Sequence, residues 1–243
     1  MTSVVQLYKR AVRDTIDNGG LHVARDVRWE FIARGITQEI LDDATQQSRV
    51  AVATFEPLVG PLIPRAPKTL KRVRTKLSEI EQHDSVYFRA VVDFIAFRVP
   101  CQVDQIAGKC NAIWNYCDDG EQKGSVAFKG TVWDLNRHQY VDIVQYCYAY
   151  LPSLGHIVEF QIGHPFASYT FAVDSALRDN PNYGLVDLWQ GGVYQQVRSY
   201  ILDSANNIPH PSGAKDEIWQ ALCSLHPNGE LPHELSNIMN KFI

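Results

Sequence analysis

Six basic residues, Arg65, Lys68, Lys71, Arg72, Arg74 and Lys76, fall within twelve positions that hold no acid, a local charge of +6 in a chain of net charge −4. Entered as a helix through Pro67, this run sets Lys68, Arg72 and Lys76 at i, i+4 and i+8, a stripe of cations beside N–H groups that also favour anions. That geometry suits a polyphosphate, and a solvated helix face is the alternative. Two carboxylates stand inside otherwise apolar runs: Asp93 in Val91–Val99 and Glu159 in Ile157–Ile162, with Gln161 two residues on and on the same strand face. An ionised carboxylate in such a strand must be paired, hydrogen-bonded or bound to a metal. Arg98 is a poor partner for Asp93, because residues five apart on a strand face opposite sides. Two carboxylates on adjacent strands are a standard way to hold Mg²⁺ beside a phosphate; a pair of buried structural acids is the alternative.

These groups need elements to position them. Apolar spacing predicts two or three helices in the first 55 residues, broken at Asn18-Gly19-Gly20. Four prolines between Pro57 and Pro67 forbid a continuous helix and mark an extended connector. The basic run then opens a helix reaching about Gln82. Val91–Val99 reads as a strand buried on both faces, followed after Pro100 by a helix that stops near Asp118-Asp119-Gly120. Ser125–Trp133, Tyr140–Tyr150 and His156–Ile162 read as three further strands, the last two joined by a turn at Leu151–Gly155. Helices follow at about 166–178, 185–204, 214–225 and from 232. The expected fold is α+β, a mixed sheet of about five strands flanked by helices, in one domain: a helical region over 1–60, a core over 61–180 and a helical region over 181–243.

The 243 residues are 45% apolar and 21% charged, an ordinary globular composition. With 23 Lys and Arg against 27 Asp and Glu, there is no overall positive field for coating a duplex. The five cysteines form no C-x-x-C pair, which points to reduced thiols rather than a zinc ribbon or disulfide scaffold. No apolar run approaches a membrane span and no secretory leader is evident, so the expected compartment is cytoplasmic. His138, His156 and His164 show no metal-ligand spacing and read as surface or strand-cap residues. Walker, G-x-G-x-x-G and G-x-S-x-G motifs are absent from the sequence.

In order along the chain, three motifs resemble the synthetase domain of the RelA/SpoT family, which makes (p)ppGpp. Pro67-Lys68-Thr-Leu-Lys-Arg72-Val-Arg-Thr-Lys76-Leu is similar to the family's R-P-K-x-x-x-S-x-x-x-K-[ML] helix. Asp93-Phe-Ile-Ala-Phe-Arg98-Val is similar to its D-[LI]-x-[AG]-[IVF]-R-[VI] strand, and Val158-Glu159-Phe-Gln161-Ile to its V-E-[IVF]-Q-[IL] strand. The resemblance covers about residues 60–180. It implies a nucleotidyltransferase-like fold that moves pyrophosphate from ATP to the 3′-hydroxyl of an acceptor nucleotide. By the same resemblance Lys68 and Lys76, with Arg65 and Arg72 beside them, would hold ATP phosphates. Asp93 and Glu159 would bind Mg²⁺ and, with Gln161, form the catalytic set. Arg98 would contact the nucleotide, and Tyr140 would stack on the acceptor base with Asp142 nearby.

The acceptor segment departs from the family's G-Y-x-S-x-H pattern: only Tyr140 is kept, with Asp142 for the serine and Val144 for the histidine. Arg72 occupies the basic helix's serine position, and Ala66 the place of the family arginine, with Arg65 adjacent. Gly163 and His164 stand where the family has arginine and threonine. ATP and metal binding are therefore better supported than acceptance of GDP or GTP. A toxin-type relative acting on adenine nucleotides or tRNA 3′ ends, and a catalytically inactive nucleotide-sensing module, remain alternative readings. Residues 1–60 hold no His-Asp pair of a hydrolase half. Apolar stripes at Trp189, Val193, Val197 and Ile201, and at Ile218, Trp219 and Leu222, read as core or as oligomer contacts.

Overall fold

Ile95, Phe97 and Val99 are buried while Ala96, Arg98 and Pro100 between them are half-buried, the two-residue period of a strand with one face on a core. The computed structural model containing this strand describes residues 3–19, 37–65, 69–71, 94–178, 192–226 and 228–243. Expectations for the basic helix beyond Lys71, for residues 91–93 and for 185–191 lie outside the described residues. The chain divides into two compact units, one of residues 1–99, 107–129 and 146–162, the other of 100–106, 130–145 and 163–243.

The first unit is built on a mixed five-stranded sheet. Its strands are β1 (Ile63–Pro64), β2 (Ile95–Pro100), β3 (Ser125–Lys129), β6 (Val144–Leu151) and β7 (His156–Gly163), in the order β1-β2-β7-β6-β3. The first of these falls inside the proline-rich connector. Prolines are tolerated there because β1 is an edge strand, paired antiparallel to β2 with Ile63 opposite Arg98. At the centre lies β7, and all eight of its residues are buried, as a strand covered on both faces must be.

Helices α1 (Val4–Gly19), α2 (Gln38–Val59) and α3 (Ile106–Asp118) belong mainly to this unit. Ile40, Ala44, Ala51, Phe55 and Val59 form the buried stripe of α2 at helical spacing. Phe55 meets Phe160 of β7 edge-on at 4.9 Å between centroids, and Phe160 stacks on Phe97 of β2 at 6.0 Å. The α2 helix ends at Gly60, whose φ of +79° suits a residue without Cβ, and whose N–H donates to the Glu56 carbonyl. On α3, Trp114 stacks on Phe128 of β3. Cys147 interacts with Cys110 and Cys117, and burial pushes the Cys117 thiol up to about 12 and Cys147 well above its ordinary value. Such thiols stay protonated, and all five cysteines are free.

A charged cluster ties α1 to this core. Lys9 pairs with Asp43 at 2.9 Å, and Asp43 accepts from or faces the fully buried His156 Nε2 at 2.7 Å. Tyr8 packs against the His156 ring and against Phe94.

In the second unit, the predicted strand Ser125–Trp133 is interrupted at Gly130, whose φ is +84°. Trp133–Asp134 becomes a separate strand, β4, which pairs with β5 (Gln139–Tyr140) in a two-stranded ribbon. The predicted strand Tyr140–Tyr150 is likewise cut, β6 beginning only at Val144. Asp134 shapes the turn by accepting from the backbone N–H groups of Asn136 and Arg137. Helices α4 (Pro165–Arg178), α5 (Gly192–Ala205), α6 (Ala214–Ser224) and α7 (His233–Phe242) follow. Among the described residues no helix is long and apolar enough to cross a membrane.

His156 and His164 are both fully buried at the two ends of β7, so of the expected surface or strand-cap positions they take the second. His164 does cap: its Nδ1 accepts from the Phe166 N–H at 3.2 Å, at the start of α4. The hydrogen-bond network therefore puts the ring proton on Nε2, which donates to the Phe242 carbonyl at 3.3 Å. Burial pushes its pKa down to about 4, with the Phe242 bond opposing. Below about pH 6.5 the unfolded ring takes up a proton that the folded ring refuses until about pH 4. Stability should thus fall across that window by on the order of 3 kcal/mol from this residue, and the lowered pKa of His156 acts in the same direction. The lowered pKa of Asp43 acts only below its ordinary 3.8, where burial is outweighed by the Lys9 and His156 bonds. Urea midpoints measured from pH 7 to pH 4.5 should drop steadily, and His164→Gln should flatten the slope.

Candidate functional site

Phe97 and Phe160 stack on the α2 side of the sheet, so Arg98 on β2 and Glu159 and Gln161 on β7 share the opposite face of two neighbouring strands. A fourth side chain joins them from the end of β1. Arg65 continues the ladder, its N–H donating to the Ala96 carbonyl at 2.9 Å, and its guanidinium pairs with the Glu159 carboxylate. Glu159 is 7% exposed and Gln161 5%, so the carboxylate needs that cation to be held ionised away from water. Gln161 Nε2 also donates to Glu159 Oε1 at 3.2 Å. That fixes the amide with its own oxygen, Oε1, buried and without a hydrogen-bond partner among the described residues.

Arg65, Arg98, Glu159 and Gln161 are therefore brought together in the first unit. Lys68, Arg72, Lys76 and Asp93 lie outside the described residues. Tyr140 and Asp142 belong to the second unit. The Tyr140 backbone is clamped by Asn206, which accepts from its N–H at 2.7 Å and donates to its carbonyl at 2.9 Å. Its ring meets Trp133 edge-on at 4.8 Å. Asp142 accepts from the Ile143 N–H at 2.7 Å and pairs with Arg198 at 3.3 Å, while Arg198 also donates to the Val141 carbonyl. Asn206 and Arg198 were invisible to sequence reasoning, because the residues they hold are about sixty positions away and neither sits in a motif.

No protein-family model matches the chain, and no curated protein matches it.

Among the described residues no group of three or more His, Cys, Asp or Glu gathers to hold a metal ion. The donor set that is present consists of hard oxygens, the Glu159 carboxylate and the unpartnered Gln161 Oε1, and these fit Mg²⁺ rather than a softer metal.

One departure from the family pattern, Gly163, sits at a close backbone approach. A Cβ on Gly163 would stand 2.3 Å from the Ile143 carbonyl oxygen and 2.7 Å from Val144 Cα. The backbones approach this closely because His164 N–H donates to that same carbonyl, while the Gly163 carbonyl accepts from Cys101 N–H. An arginine at 163 has no room, and what crowds it is the Ile143 carbonyl and the Val144 Cα and Cβ, atoms that any side-chain-bearing residue at 144 would present.

Two outcomes follow from this geometry. Arg65→Ala should cost roughly 3 kcal/mol, the scale of a buried carboxylate losing its cation, and Arg65→Ala with Glu159→Gln should recover most of it in denaturant titrations. Gly163→Ala should cost roughly 3 kcal/mol through backbone overlap, measured in the same way; a loss below one would mean the strands separate easily.

Proposed function

We propose that this chain is a Mg²⁺-dependent pyrophosphotransferase of the RelA/SpoT synthetase type, with a nucleotidyltransferase-like fold, that moves pyrophosphate from ATP to the 3′-hydroxyl of an acceptor nucleotide. The observation that carries the reading is the convergence of Arg65, Arg98, Glu159 and Gln161 on one face of β2 and β7. Three of these four stand in strand motifs that resemble the family, and the fourth opens its basic segment.

In the reaction the acceptor 3′-oxygen forms a bond to the β-phosphorus of ATP. The bond between that phosphorus and the oxygen bridging to the α-phosphorus breaks, and AMP departs with the bridging oxygen. Positioning and charge neutralisation do most of the work in such transfers. Glu159 would take the proton of the 3′-hydroxyl, and Gln161, already bonded to its carboxylate, would orient it. At rest Arg65 neutralises Glu159; with the donor bound, its guanidinium would turn to the phosphates and free the carboxylate as a base. Arg98 would add positive charge on the same face, and Lys68, Arg72 and Lys76 of the basic segment would hold the rest of the triphosphate. Asp93 would hold Mg²⁺, with Glu159 as its second ligand in the alternative to the base role, and the ion when bound neutralises phosphate charge. The free buried thiols fit a cytoplasmic location.

A second reading, nucleotide sensing without turnover, is favoured by one observation. Gly163 cannot supply the family's arginine, and Asp142 is committed to Arg198 and Ile143. The choice of acceptor, whether GDP, GTP, an adenine nucleotide or a tRNA 3′ end, is open for the same reason. Purified protein with γ-labelled ATP, Mg²⁺ and each of these acceptors in turn should give one labelled 3′-pyrophosphorylated product. Glu159→Gln should slow its formation by about 10²–10⁴. ATP that raises the melting temperature without any product would establish the sensing reading, and neither binding nor product would defeat both.

A further inference from the structure

The second unit contains a cavity of about 550 Å³ whose wall is unlike a phosphate site. It lies within the range of small-molecule pockets. Trp133, Tyr140, Tyr200 and Phe242 contribute aromatic surface to it, and Asp104 is its acid; none of the described residues lining it is Lys or Arg. The wall is well anchored. Asn206 clamps the Tyr140 backbone on both sides, Trp133 is paired with Tyr140 across the β4-β5 ribbon, and Tyr200 stacks on His210 at 3.7 Å between centroids. His210 is held in turn by Ser204 at 2.8 Å.

Beside His138, which also lines the cavity, the charge character of this wall comes from three sources of one sign. Aromatic faces present negative quadrupole density. The last turn of α5, with Ser204 and Ala205 on the wall and Asn206 and Asn207 just beyond, brings the negative end of a helix dipole to the cavity, and no basic residue in that turn offsets it. Asp104, exposed on the short helix Val103–Gln105, adds a full negative charge. An anion placed here would meet repulsion from all three.

We infer that this cavity is a binding site for a small organic ammonium ion, with Trp133, Tyr140, Tyr200 and Phe242 supplying its aromatic wall and the exposed Asp104 its acid. The site is distinct from the Glu159 face, and the inference stands whether or not the pyrophosphotransferase reading does. A cavity of this volume, half open to solvent, has room for a whole small molecule.

Calorimetric titration of the full chain at pH 8 tests this with choline, spermidine, the neutral choline isostere 3,3-dimethylbutan-1-ol, and adenosine. Choline or spermidine should bind with saturation, and the neutral isostere at least tenfold more weakly. Asp104→Asn should weaken cation binding roughly tenfold, and Trp133→Leu at least as much. Asp104 is exposed, so its variant decides the matter if Trp133→Leu fails to fold. The inference is overturned if neither cation saturates in the millimolar range or the isostere matches choline. It is equally overturned if Asp104→Asn changes nothing, or if adenosine displaces the cations and binds that variant undiminished.

Discussion

A carboxylate in the middle of a fully buried central strand is the constraint around which the first unit is organised. Glu159 sits on β7 with neighbours on both sides of the sheet, and burying its charge without a cation would cost several kcal/mol. The cation comes from Arg65, and Arg65 can reach only because the proline-rich connector is laid down as an edge strand. Ile63 and Pro64 pair with Phe97 and Arg98, and the Arg65 N–H continues the ladder to Ala96. The connector is therefore part of the site rather than a spacer. Replacing the pair by apolar residues would often be neutral or stabilising in a core. Here the pair stands beside a buried Gln161 oxygen that has no hydrogen-bond partner among the described residues.

The opposite face of the same strands shows the other half of the design. Phe55, Phe97 and Phe160 form a contiguous aromatic cluster with α2, so β2 and β7 are held rigidly from behind while their polar residues face the other way. A reacting group gains from this arrangement because strands hold side-chain geometry more tightly than loops do. The thiols of Cys117 and Cys147, kept protonated by burial, behave on this side as small apolar residues.

Much of this was legible in the residue pattern. The strand at 95–100, the helix ending near Asp118 and the turn at Leu151–Gly155 follow from apolar period and turn chemistry, which are local. The polarity of Glu159 and Gln161 in an apolar run also marked them, because burial makes such residues expensive. What could not be read is of longer range. β1 is only two residues long and contains a proline, so no periodicity signals it. The β4-β5 ribbon was hidden inside two apparently continuous strands, since Gly130 and the Val141–Ile143 segment break them by backbone conformation and not by composition. The clamp from Asn206 to Tyr140 spans 66 positions, beyond the reach of any window.

Gly163 shows why a motif departure needs a structure before it is given a meaning. Read along the chain, glycine for arginine and valine for histidine look like two independent losses from an active site. In three dimensions the glycine has a backbone cause of its own: the Ile143 carbonyl and the Val144 Cα and Cβ occupy the volume a side chain at 163 would need, whichever side chain 144 carries. Restoring the arginine alone would force apart strands joined by the His164-to-Ile143 hydrogen bond, and restoring the histidine alone would leave Gly163 as it is.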